Sequence, residues 1–143
     1  MRSVDYRSPT SKLELLVRAL VVLALAVDAL IHFRLAGNFS LAVPGGIAGG
    51  TLFRLQAGAA ILAGIFLAVR GSRGAYALAG LVLLSAFVAV MLYRYVDVPA
   101  IGPIPAMYEP IWYFEKSLSA VATGLGAVLA GAGLLLQRGR KPQ

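Results

Sequence analysis

Four long apolar runs decide what this chain can become. Leu13–Leu35, Thr51–Val69, Gly74–Val96 and Ile111–Gln137 carry few charges, and about 20 apolar residues at roughly 1.5 Å each match the ~30 Å hydrocarbon core of a bilayer. No water reaches a backbone N–H or C=O inside that core, so runs of this length must be helices. Composition agrees: 59% of residues are hydrophobic and 13% charged, against roughly a quarter charged in soluble domains. Mean hydropathy is +0.82. The expectation is one domain over residues 1–143, an all-α integral membrane four-helix bundle with the lipid bilayer as its surroundings. A cleaved leader ending near Ser40-Leu41-Ala42 is the competing reading of the first run. The long polar stretch before that run, and Asp28 and His32 within it, favour a retained span.

The net charge of +7 would suggest nucleic acid in a soluble protein. Here Lys and Arg flank the apolar runs, the arrangement that orients membrane helices, and nucleic-acid binding is set aside. Nine basic residues (Arg2, Arg7, Lys12, Arg18, Arg70, Arg73, Arg138, Arg140, Lys141) fall on the side of the termini and the middle turn. Four (Arg34, Arg54, Arg94, Lys116) fall on the other. The positive-inside rule then predicts both termini in the cytoplasm, and the Ala/Gly/Leu/Val/Arg-rich composition suits a bacterial inner membrane protein. Thr10 or Ser11 is placed to cap the first helix. Residues 36–50, with Pro44 and five glycines, read as an extracytoplasmic loop, and Arg70-Gly-Ser-Arg73-Gly as a tight turn joining spans two and three. There is no cysteine, which excludes disulfides, Fe–S clusters and thiolate metal sites.

Polar, aromatic and proline residues concentrate between Tyr93 and Lys116. Pro99, Pro103, Pro105 and Pro110 fix φ and remove backbone donors, which predicts a stiff extended lid on the extracytoplasmic side between spans three and four. Tyr93, Tyr95, Tyr108, Trp112 and Tyr113 are the amphipathic aromatics expected where hydrocarbon meets water.

At 100° per residue, Glu14, Arg18, Asp28 and His32 share one arc of the first span, with Val21 and Leu25 between them. Glu14/Arg18 and Asp28/His32 are i, i+4 pairs. Asp28 lies near mid-membrane, where an unpaired carboxylate costs at least ~2.5 kcal/mol, so it must face protein or water. It reads either as a carboxylate satisfied within the bundle or as a proton- or cation-responsive group partnered by His32. Glu115, Ser119, Thr123, Gly126, Ala130 and Gly133 form a second stripe on the fourth span. Ala57, Ala60, Gly64 and Ala68 form another on the second, and Ser85 is the polar side chain of the third. Such small-residue faces let membrane helices approach closely.

With this topology the far ends of all four spans gather Asp28, His32, Arg34, Arg54, Gln56, Arg94, Asp97, Glu109, Glu115 and Lys116, four acids against four bases. Tyr108 and Trp112 lie beside them. The set reads as an ion-pair network pinning the lid, with Glu109 and Glu115 meeting Arg34, Arg54 or Arg94, or as a pocket for an anion or polar ligand. One histidine cannot supply bis-histidine haem, and a metal site on it would need Asp28, Glu115 or Met107. No cofactor or metal is called for.

Met107-Tyr108-Glu109-Pro110-Ile111-Trp112-Tyr113-Phe114-Glu115-Lys116, after Asp97-Val-Pro-Ala-Ile101-Gly-Pro, resembles small four-span membrane proteins of actinobacteria. The resemblance takes in Asp28, His32, Arg54 and Gln56; in size and span count it extends to DoxX-like proteins. It implies an architecture and an outward-facing polar site. No nucleophile–base pair, metal constellation or phosphate loop is present to carry catalysis. Two functional readings follow. The first is a non-enzymatic accessory subunit presenting the lid to another membrane or extracytoplasmic protein, or to a second copy. The second is a small proton- or ion-coupled transporter or ligand-binding protein that uses Asp28 and His32.

Overall fold

The computed structural model describes residues 10–40 and 47–138. Arg2, Arg7, Pro44, Arg140 and Lys141 lie outside them. Among the described residues four helices make up the fold: α1 Lys12–Ala36, α2 Gly49–Arg70, α3 Arg73–Tyr95 and α4 Phe114–Arg138. All four are long and apolar enough to cross a membrane, and the protein is a multi-pass membrane protein. Ser11 caps α1, its Oγ accepting from Glu14 N at 3.1 Å, one of the two positions expected. Gly71 ends α2 at φ 54° with its N–H on Leu67 O, and Ser72 caps α3 by accepting from Ala75 N. That two-residue turn makes α2 and α3 antiparallel.

Helices adjacent in the chain are adjacent in space. α1 packs most extensively on α2, α3 on α4, and α1 also on α4, while α1 and α3 barely touch across the diagonal. The bundle therefore has a turn end, holding the start of α1, the α2–α3 connection and the end of α4, and a hairpin end opposite. Between them lies a core of small and branched residues, including Val21, Leu25, Ala60, Leu67, Ala79, Leu83 and Ala130. Leu23, Leu62, Val69, Leu81, Leu125 and Val128 face outward.

The small-residue stripes are where the helices meet, with two adjustments. On α2, Ala57, Ala60 and Gly64 are buried as expected, but Ala68 faces out and Leu67 closes the face. On α4 the buried line runs Lys116, Ser119, Thr123, Gly126, Ala130, Gly133, Gln137, so Lys116 rather than Glu115 heads it. A Cβ at Gly126 would come within 2.7 Å of Ala24 Cβ and 2.9 Å of Leu83. Here glycine allows α1 and α3 to close on α4.

Within the connection from α3 to α4, residues 98–107 fold back on themselves as a short hairpin, a pairing that the expectation of an extended lid did not include. Val98 and Met107 exchange both backbone hydrogen bonds, as do Ile101 and Ile104 at 3.0 Å. Gly102, at φ 57°, takes the first central position of the two-residue turn, which only glycine fills without strain, and Pro103 takes the second. Proline falls where no ladder donor is needed, so the residues that predicted extension also permit pairing. Pro103 O accepts from Ile47 N and Tyr93 O from Glu109 N, tying the hairpin to the α1–α2 connection and to α3. α4 begins three residues later than the apolar run, at Phe114, with Tyr113 O accepting the first helical bond from Ser117 N.

Candidate functional site: a cavity beneath the hairpin

Two polar clusters occupy the two ends of the α1 face. At the turn end, the Glu14 carboxylate is 2% exposed and Arg18 grips both its oxygens at 2.8 to 3.0 Å. Tyr76, fully buried on α3, donates to Glu14 Oε1 at 2.9 Å, and Gln137 of α4 donates to the Gly71 carbonyl at 2.8 Å and to Glu14 Oε1 at 3.4 Å. A Cβ on Gly71 would collide with the Arg18 guanidinium. This cluster joins α1, α3, α4 and the α2–α3 turn, with both Glu14 carboxylate oxygens engaged.

At the other end, Asp28 has no exposed surface. Its Oδ2 accepts from Gln56 Nε2 at 2.9 Å, and Gln56 also reaches Val82 O of α3 at 3.3 Å. His32 Nδ1 lies 2.9 Å from both Asp28 Oδ1 and Asp28 O. A single N–H has good geometry only toward the carbonyl, so Oδ1 is in ion-pair range without a hydrogen aimed at it. The intramembrane acid is thus satisfied mainly by an amide, one of the ways such groups are tolerated.

Above this cluster a cavity of about 400 Å³ opens among all four helices and the second hairpin arm, within the ligand-site range. Its apolar wall includes Leu35, Leu52, Ala89 and Val90, and Phe53, which stacks on Phe39 at 4.7 Å and touches the His32 ring at 5.1 Å. Its polar groups are His32, Gln56, Ser85, Tyr93, Glu109, Tyr113, Lys116 and Ser119. Ser85 donates to Val82 O at 2.8 Å.

The expected constellation divides. His32 and Gln56 line the base of the cavity with Asp28 buried behind them, and Glu109, Lys116 and the half-exposed Tyr108 form its α4 and hairpin side. Glu109 does not meet an arginine. Its carboxylate lies 3.6 Å from Lys116 Nζ and accepts from Tyr113 at 3.3 Å, while its carbonyl accepts from Lys116. Lys116, in the first turn of α4, is closer than any arginine on another helix. Arg94 lies over the rings of Tyr95 and Trp112, at 4.9 and 5.7 Å. Arg34, Arg54 and Asp97 are exposed, and among the described residues neither they nor Glu115 form an ion pair. Where water is accessible, such pairs gain little over solvation. Tyr76, Gln137, Phe39 and Phe53 were not singled out from the sequence. Tyr76 and Gln137 lie at polar helix ends, the only signal available, and the two phenylalanines have none. No family model, curated protein or solved structure matches this chain.

Proposed function

We propose that this protein binds a small, largely apolar molecule with a hydrogen-bonding head group, in the cavity beneath its hairpin. The observation that carries this reading is the cavity itself: polar groups from all four helices converge on a space walled by aliphatic and aromatic side chains. A pure scaffold would fill that volume, because an unfilled space forfeits packing contacts. The nine-to-four distribution of Lys and Arg supports cytoplasmic termini and an outward-facing hairpin in a bacterial inner membrane. Alkaline phosphatase fused after Gln143 should then be inactive and a fusion after Gly102 active; the reverse pattern inverts the orientation.

The ligand reading is tested by mass spectrometry of the protein released intact from its native membrane. The wild type should retain a small-molecule adduct, and Ala89→Phe, which fills the space, should lose it while keeping its melting temperature. A wild type with an empty cavity and a stoichiometric second protein would instead favour an accessory subunit. The outward faces of Ile101, Tyr108 and Ile111, each more than half exposed, support that second reading.

A further inference from the structure

Resting on the ligand reading above, we propose that the cavity takes an amphiphilic monocarboxylate. Its carboxylate is held by Lys116 and Ser119 of α4, its apolar body lies against the Phe39–Phe53 stack, and Glu109 is the built-in anion it replaces. Lys116 is 5% exposed and brings three donors. Its Nζ is 3.6 Å from the Glu109 carboxylate, well beyond the ~2.7–2.9 Å of a charge-assisted hydrogen bond. The Glu109 side chain is 37% exposed and can turn into water, giving up only its long 3.3 Å bond from Tyr113. The pair is built to exchange: a buried cation that stays anchored on the Glu109 carbonyl, and a loosely held, partly solvated side-chain carboxylate that can leave it.

Ser119 supplies an independent observation. It lies three residues along α4 from Lys116, lines the same cavity and is 3% exposed, yet its Oγ has no partner among the described residues. A buried hydroxyl left unpaired is uncommon and costly, and a ligand oxygen beside Lys116 would pair it. The rim is also rich in donors. Arg94 and Lys116 both lie within 5.8 Å of the Trp112 ring centroid, and Arg94 Nε is buried without a partner among the described residues. Groups facing Lys116 from the other elements set the ligand's direction. Asp28, behind His32 on α1 and Gln56 on α2, repels an anion from the base, whereas Arg94 of α3 draws one toward the α4 wall. At ~30 Å³ per water-sized group, about 400 Å³ holds roughly a dozen non-hydrogen atoms, the size of octanoate or phenylacetate.

Trp112 is the single tryptophan and sits over Lys116, so its fluorescence reads the exchange directly. The experiment titrates protein in lipid nanodiscs with octanoate, octanol, octylamine and phenylacetate. Saturable octanoate or phenylacetate binding, about tenfold tighter than octanol or octylamine, is expected; preference for octanoate marks a lipid-derived acid and for phenylacetate a water-borne one. Lys116→Met and Ser119→Ala should weaken that binding and Glu109→Gln should tighten it, the serine variant serving even if the lysine variant does not fold. Octanol or octylamine binding as tightly as the acids overturns the carboxylate while leaving the cavity occupied. No saturable change with any probe, together with an adduct-free protein, overturns the ligand reading as well.

Discussion

Asp28 shows how one residue can be legible in a sequence while its partner is not. The i, i+4 spacing from His32 and the depth along α1 identified both as inward-facing, and they are. Gln56 was grouped with them only as a polar residue near the start of the second span, yet it makes the hydrogen bond at 2.9 Å and links α1 to α3. A helix period reports which face a residue takes but not which side chain on another helix meets it. Removing one member of a buried hydrogen-bonded pair costs about 1–3 kcal/mol, because the other is left unpaired, whereas removing both is nearly neutral. Asp28→Leu and Gln56→Leu should therefore each lower stability by that order, and the double variant should lose much less than their sum. Asp28→Asn, which can still accept from Gln56, should cost under about 1 kcal/mol. Thermal unfolding in one detergent checks the cycle, and additive losses would show that the two do not act as a pair.

The helices were readable to within one to three residues because each carries its own hydropathy and, in α1 and α3, its own serine cap. The hairpin was not readable as a hairpin, since Val98, Met107, Ile101 and Ile104 show no alternation marked enough to announce pairing, and four prolines fit an unpaired strap equally well. Small residues on α4 were identified as a contact face, but only neighbouring helices distinguish the essential ones. A Cβ at Gly133 would collide with the Tyr76 ring, while one at Gly131 meets nothing within 4 Å. Gly133→Ala should destabilise by about 1–3 kcal/mol through overpacking. Gly131→Ala should stabilise by about 0.5–1 kcal/mol, because alanine loses less backbone entropy in a helix. Chemical denaturation in mixed micelles distinguishes them, and equal effects would mean that α4 is rotated away from Tyr76.

Taken whole, the molecule has its polar groups at two depths and little between. Glu14 and Asp28 are 14 positions apart on α1, about 21 Å along the axis, and Val17, Val21, Leu25, Ala60, Ala63, Leu67, Ala79 and Leu83 close the intervening cross-section, each less than a tenth exposed. An ion in that layer would find no oxygen ligand among these side chains and would lose several kcal/mol of hydration, against only ~2.3 kcal/mol supplied per elementary charge by 100 mV. Such a bundle is a dielectric plug. The expected consequence is that a molecule bound beneath the hairpin meets a closed layer and that the protein adds no leak to the membrane. Planar-bilayer recordings should show baseline current at both polarities, with or without octanoate. Stepwise unitary currents that disappear on Leu25→Trp would instead reveal a pore through this layer.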